Sequence, residues 1–427
     1  MIQERIFWHD TVDMPAAQDL TPLPRQVDVA VLGGGYTGLS AARTLARGHS
    51  SVSVLEAETM GWGASSRNGG MVLSGLKLPM RSILKKYGRD LARRLFHCSL
   101  EAIDTVEQIV REEAIDCGFA RTGHLLTANR PRHFEALKRE VEFLAEEFKH
   151  EVHLVSRERQ REEIGSDLYY GALVDEASAG LNPAQYVAGL ARAAQRAGAV
   201  LCARARVQHI ERGRNGFTVE TERGPIRAQE VLVATAGYTK QAAPWLQSRI
   251  IPIGSFIIAT ERLSDDLATE LSPKNRMIFD SRHFLNYFRL WDHRLIFGGR
   301  AAFLPENRNT VRQSMEILRR EMVRVYPQLE HVQVEYAWGG TLDFAFDMMT
   351  HVGLADGLHY SLGYAGHGVA MATYLGKTVA EAMLSGRIQD HPFAALPLPG
   401  APLGLNGLWP WFLPLAGIWN KVLDWIE

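Results

Sequence analysis

The stretch "QVDVAVLGGGYTGLSAARTLARGHSSVSVLEAE", residues 26–58, changes its hydrophobic period twice. Val27, Val29 and Val31 alternate as in a short buried strand, Leu39, Ala42 and Leu45 share one helical face, and a second apolar run ends at Glu56. Between the first strand and the helix lie Gly33, Gly35 and Gly38, a G-x-G-x-x-G pattern. The first glycine makes the turn, the second lets backbone approach a pyrophosphate, and the third lets helix pack on strand. A diphosphate then sits on the helix N-terminus, at Tyr36 and Thr37. Glu56, with Ala57 beside it, is placed to accept the hydroxyls of an adenosine ribose.

The bulk numbers exclude several classes of function. The 427 residues carry a net charge of −1, which gives no field to attract nucleic acid, so no nucleic-acid partner is expected. Cys98, Cys117 and Cys202 are odd in number and far apart, which suggests neither a disulfide framework nor a metal knuckle, and no metal site is expected. The N-terminus lacks a hydrophobic signal core, and no run of about 20 apolar residues occurs, so a cytoplasmic protein is expected.

The length favours more than one domain. The pattern of strands and helices predicts an α/β fold: a Rossmann-like dinucleotide domain interleaved with an antiparallel-sheet α+β substrate domain. The nucleotide domain is expected from residues 1–80, 171–245 and 336–390, and the substrate domain from 81–170 and 246–335. A Trp-rich tail is expected over 391–427. Helices are predicted at 88–115, 131–148 and 309–326, and one starts at Asn182 and Pro183.

"GWGASSRNGG", residues 61–70, is bare enough to lie flat against a bulky planar ring. A second glycine turn, "GYAGHG" at 363–368, enters another helix, whose positive end suits the electron-rich edge of a reduced flavin. Two such turns, one per end of a long dinucleotide, argue for FAD. With "VDVAVLGGGYTGLSAA", "LVATAGYT", "YFRL", "RLIFGGR" and "GYAGHGVAMATYLGKTVAE", the chain resembles the FAD-dependent D-amino-acid oxidase and sarcosine oxidase superfamily. Within it, the chain is most similar to the group with γ-glutamylputrescine oxidase and bacterial pipecolate oxidase. The resemblance implies oxidation of a C–N bond in an amine or secondary amino acid: hydride leaves carbon for flavin N5, and the resulting imine is hydrolysed. Some members tether the flavin through a Cys before the last helix or a His in the glycine loop. Here Asn68 stands in that loop and no Cys follows Cys202, so the FAD is expected to be non-covalent.

The candidate cofactor residues are those of the first turn and Glu56 with Ala57, then Gly63, Ala64, Ser65, Arg67, Asn68, Gly69 and Gly70. Val207, Ala236, Gly237 and Trp338 come from strand ends, and Gly363, Gly366, His367, Gly368 and Val369 from the second turn. Candidates for the chemistry are Arg67, near pyrophosphate or ring, and His367, a residue titrating near neutrality that would keep the amine unprotonated. Arg289 or Arg300 would clamp a substrate carboxylate, Tyr287 and Trp338 would wall an amine, and Asp343 would bind an ammonium. Each has a plainer alternative in core packing or a surface ion pair. In the tail, Leu415, Ile418, Trp419, Val422, Leu423 and Ile426 form one apolar stripe. This stripe is either an interfacial membrane anchor that would favour quinone over O₂ as acceptor, or a helix docked on protein. The rival functions are a dehydrogenase of the same fold that ignores oxygen, and a non-catalytic flavin-binding subunit.

Overall fold

A computed structural model describes residues 3–13, 21–282, 285–299 and 308–401. Its first sheet runs His351–Ala355, Leu358–Leu362, Gly224–Val233, Gln26–Leu32, Val52–Leu55 and Val200–Cys202. A hairpin of Val207–Gly213 and Gly216–Thr221 is added to Gly224–Val233. Gln26–Leu32 is parallel to both its neighbours, as a strand followed by a crossover helix must be. That helix is Tyr36–Arg47, and Gly33 makes the turn into it at φ 104°, a conformation open to glycine.

The helices behind the two glycine turns are bound to each other. Gly376 in helix Gly368–Ser385 approaches Tyr36–Arg47 so closely that a Cβ there would overlap the Thr37 carbonyl. Ser40 Oγ donates to the Thr373 carbonyl at 2.7 Å, and the Thr37 and Tyr364 hydroxyls lie 2.6 Å apart. The distance between the turns is therefore fixed by packing.

The second sheet runs Val334–Ala345, Ile250–Thr260, Arg294–Gly299, Asn286–Trp291, Met277–Asp280, His124–Thr127, Ala172–Asp175 and His153–Val155. It is antiparallel except where Met277–Asp280 runs parallel to His124–Thr127, so the expected all-antiparallel pairing is broken once. Two strands adjoining nucleotide-sheet segments in sequence, Ala172–Asp175 and Val334–Ala345, also pair here. One face packs Phe256, Phe288 and Phe297 against Met315, Leu318 and Met322 of helix Arg308–Val325. The opposite face carries Ser255, Ile257 and Tyr287 toward the first sheet.

Helices Arg89–Glu112, Pro131–Phe148 and Pro183–Arg196 lie where the sequence predicts them. Asn182 caps the last, its side chain accepting from Ala184 and Gln185 N–H at 3.1 Å each. The N-terminal segment, with no assigned role in the sequence, is built in: Gln3 N–H donates to the Glu335 carbonyl at 2.7 Å, and Trp8 is fully buried. The apolar stripe of the tail, from Leu415 on, lies outside the described residues, as does Arg300. Among the described residues no helix is long and apolar enough to cross a membrane.

Candidate cofactor and substrate site

A cavity of about 940 Å³ opens between the two glycine turns. That is the upper end of ordinary ligand sites, roughly 300–1,000 Å³. Gly33, Gly35, Tyr36, Thr37, Glu56, Ala57, Gly63, Ala64, Ser65, Asn68, Val207, Ala236, Gly366, Gly368 and Val369 line it.

The glycines behave as a cradle. At Gly33 a Cβ would stand 2.6 Å from the Ala234 carbonyl oxygen, and at Gly35 one would stand 2.8 Å from Ser65 Oγ. Ser65 Oγ also accepts the Tyr36 N–H at 3.0 Å, tying the ring loop to the first helix. Glu56 accepts the Gly34 N–H at 2.7 Å through one oxygen and the Glu58 N–H at 2.8 Å through the other. Burial raises its pKa from the usual carboxylate value, while these two bonds oppose the rise. Each oxygen keeps a lone pair for a ribose hydroxyl. Replacing Glu56 by Ala is expected to weaken FAD binding about ten- to hundredfold, the worth of charge-assisted hydrogen bonds, while KM stays put. Titration of apoprotein with FAD measures this, and unchanged affinity removes Glu56 from the site.

Several predicted residues stand behind the cavity wall. Gly38, Gly70, Gly237, Gly363 and Trp338 do not line it. Gly38 serves helix packing, a Cβ on Gly237 would come 3.0 Å from the Leu342 carbonyl, and Gly363 turns the chain at φ 83°. Trp338 donates its indole N–H to the Arg67 carbonyl at 2.9 Å, supporting the ring loop from the rear. Asp343 accepts the Gly363 N–H at 2.6 Å, and its own carbonyl accepts from Ala365 at 2.9 Å. Asp343 does line the large cavity, and its carboxyl, pushed up to about 6 by burial, holds the second turn in place where the sequence suggested an ammonium ligand.

A smaller cavity of about 100 Å³ shares Ala64, Asn68, Leu342, Gly366 and Val369 with the large one. Arg67, Gly69, Lys77, Ser255, Tyr287 and His367 also face it. Tyr287 and Ser255 hydroxyls are 3.1 Å apart. Arg67 stacks its guanidinium on Trp62, 4.5 Å from the ring centroid, and donates Nε–H to the Trp62 carbonyl at 2.9 Å. His367 sits at the N-cap of helix Gly368–Ser385, with Nδ1 buried. Burial, then Lys77 and His124, push its pKa down to about 3, so the ring is neutral at physiological pH and does not titrate near neutrality as expected.

Arg289 departs furthest from expectation. It shares a strand face with Tyr287, yet its guanidinium is buried past the cavity and donates through one nitrogen to the Gly70 and Leu181 carbonyls at 2.9 and 3.0 Å. Burial pushes its pKa down to about 10. Its place is a backbone anchor. The sequence reading missed Lys77 and Trp8. Lys77 carries no motif, and Trp8 meets the ring loop only through tertiary structure, donating to the Asn68 carbonyl at 2.9 Å.

The fit to FAD agrees with what the chain resembles. The family model described as DAO, FAD dependent oxidoreductase, matches residues 28–382. The chain is 33% identical over 376 residues to gamma-glutamylputrescine oxidoreductase of Escherichia coli, covering 87% of this chain and 86% of that one. It is 32% identical over 378 residues to the probable oxidoreductase OrdL of Haemophilus influenzae, with the same coverage. The crystal structure of glycine oxidase from Geobacillus kaustophilus superposes with a TM-score of 0.74 at 20% identity, covering 88% of this chain and all of that one. The two glycine turns and the sheet between them are thus the frame of a flavoenzyme, and the chain belongs to the DAO family of FAD-dependent oxidoreductases.

Proposed function

We propose that this chain oxidises the C–N bond of a small amine or secondary amino acid that carries a carboxylate, with FAD held non-covalently in the large cavity. The supporting observation is the charge of the small cavity. Its described lining includes Arg67 and Lys77 and neither Asp nor Glu. Basic residues in the lining with no acid among them favour an anionic end of a substrate and disfavour an ammonium, so the amine enters neutral. That assigns to Lys77 and Arg67 the task first given to a titrating histidine. His367, Tyr287 and Ser255 supply neutral hydrogen-bonding groups around the reacting end. Bound FAD supplies the two-electron acceptor; the protein's part is to position the amine and keep it dry. The relatives' names, gamma-glutamylputrescine oxidoreductase and glycine oxidase, each denote action on an amine that carries a carboxylate.

Anaerobic bleaching of the flavin across amines, amino acids and N-alkyl or cyclic amino acids tests the proposal. Carboxylate-bearing amines are expected to bleach it. Lys77→Met is expected to raise their KM about ten- to hundredfold, the worth of one charge-assisted hydrogen bond, and to leave a carboxylate-free amine nearly unchanged. No bleaching by any amine overturns the function, and equal losses on both classes remove Lys77 from recognition. Reoxidation of the bleached protein by air, with peroxide formed, or only by added quinone identifies the acceptor.

A further inference from the structure

The ring loop is held from behind by two tryptophans that lie outside both glycine turns. Trp8 Nε1–H donates to the Asn68 carbonyl and Trp338 Nε1–H to the Arg67 carbonyl, both at 2.9 Å. The two lie far apart in the chain, yet they bind consecutive peptide groups. Both are buried, pack in one apolar cluster with Phe7, Ile257 and Tyr336, and stand outside the lining of either cavity. A third anchor follows, since Arg289 binds the Gly70 carbonyl.

In a trans peptide the C=O and the following N–H point in opposite directions, and the described chain has no cis peptide. Turning the Arg67 carbonyl back onto Trp338 therefore turns the Asn68 N–H forward. Turning the Asn68 carbonyl back onto Trp8 does the same for the Gly69 N–H. Asn68 and Gly69 both line the small cavity, and Asn68 lines the large one too, so forward is the side of the cavities. The neighbouring amides are already engaged: Arg67 N–H donates to the Ala64 carbonyl at 3.2 Å and Gly70 N–H to Asn68 Oδ1 at 2.8 Å. The side-chain amide of Asn68 donates to the Ala64 and Ser65 carbonyls at 3.0 and 3.2 Å, which stiffens the same turn.

We infer that Trp8 and Trp338 are positioning residues that set the flavin's redox potential, by aiming the Asn68 and Gly69 N–H groups at the flavin. Resting on FAD occupying the large cavity, this assigns a redox role to the N-terminal segment, which contributes nothing to the cofactor motifs. Fixed N–H dipoles favour the electron-rich reduced form over the oxidised one and cost no reorganisation when it forms. The indoles act through the backbone and touch neither substrate nor FAD.

The experiment replaces each indole by Phe, which keeps an aromatic ring but removes the N–H. Trp8→Phe and Trp338→Phe are each expected to lower the preference for reduced over oxidised FAD about tenfold, which for a two-electron couple is about 30 mV in midpoint potential. Trp291→Phe is the control: Trp291 packs edge-on against Trp8 at 5.8 Å and reaches the loop through its ring, which lies 5.1 Å from the Arg289 guanidinium and which Phe retains, so the potential should stay unmoved. Where a variant holds FAD loosely, titration of the apoprotein with oxidised and with reduced FAD reads the same quantity as a ratio of affinities. Potentials equal to the parent's, equal weakening toward both forms, or an equal fall in Trp291→Phe overturns the inference. A parent protein that binds no FAD overturns the cofactor assignment instead.

Discussion

Gly38→Val is expected to give a chain that retains no FAD and unfolds at a much lower temperature than the parent, even when both are compared as apoprotein. A Cβ at Gly38 would overlap the Gly33 carbonyl oxygen and stand 3.2 Å from Val31 Cγ1. Neither neighbour can yield. Gly33 is itself backed against the Ala234 carbonyl and sits at φ 104°, so moving it drags the ends of two central strands. The helix cannot retreat either, because Gly376 and Thr373 of the second turn's helix hold its other side. A clash with backbone on one side and packed helix on the other belongs among the rare substitutions that cost more than about 4 kcal/mol. Gly38→Ala carries the same overlap with fewer atoms and should show most of the effect. Gly213→Ala is the comparison, since the nearest atom to its Cβ is 3.6 Å away. Thermal unfolding of the three apoproteins, with FAD content of the purified forms, measures the difference. A Gly38→Ala protein that is yellow and melts with the parent would show that the helix has slack that the packing denies.

The contrast between Gly38 and Lys77 shows what the sequence could reveal. Both glycine turns were legible because their physics is local: a strand, a tight turn and a helix leave their periods within a dozen residues. Glu56 was legible through its distance from Gly38, although its bonds to Gly34 and Glu58 N–H were not. Positions that depend on which strands pair were hidden. Asp343 looked like a lone acid after a glycine pair, and only the approach of the second turn to strand Val334–Ala345 turns it into that turn's anchor. Trp8 was read as part of an unremarkable N-terminus, because no periodicity links it to a carbonyl 60 residues on. Lys77 belongs to no motif and drew no reading. Matching phases on successive strands offered Arg289 and Arg300 as carboxylate clamps. Phase does not tell how far a side chain runs, and the clamp reading of Arg289 failed there, since its guanidinium reaches past the cavity to the Gly70 and Leu181 carbonyls.

Arg289 tests that failure directly, and its substitution should cost activity without regard to substrate. The guanidinium is fully enclosed, with carbonyl acceptors as its recorded hydrogen-bond partners. Confinement depresses its pKa from 12.5 to about 10, which corresponds to a charge-burial cost of about 3 kcal/mol. Arg289→Met removes that cost and leaves the Leu181 carbonyl without its guanidinium donor, at about 1–3 kcal/mol, while the Gly70 carbonyl keeps the Leu181 N–H at 2.9 Å, so the two effects nearly offset and the protein should remain folded. Arg289→Ala adds a void, for which large-to-small core changes suggest a further 2–5 kcal/mol. Function should suffer in both. Gly70 closes the ring loop at φ 69°, where its carbonyl accepts both the Leu181 N–H at 2.9 Å and the guanidinium that bridges it to the Leu181 carbonyl, so losing the guanidinium loosens one of the two ties on the loop's end. A displacement of about 1 Å at reacting groups costs about a hundredfold in rate. The expected result is a fall in kcat of that order, equal for carboxylate-bearing and carboxylate-free amines, with KM little changed. A carboxylate clamp has the opposite signature, because it is lost as a rise in KM confined to substrates with a carboxylate. That outcome would return Arg289 to substrate recognition and would require its guanidinium to leave Gly70 and Leu181 for the small cavity.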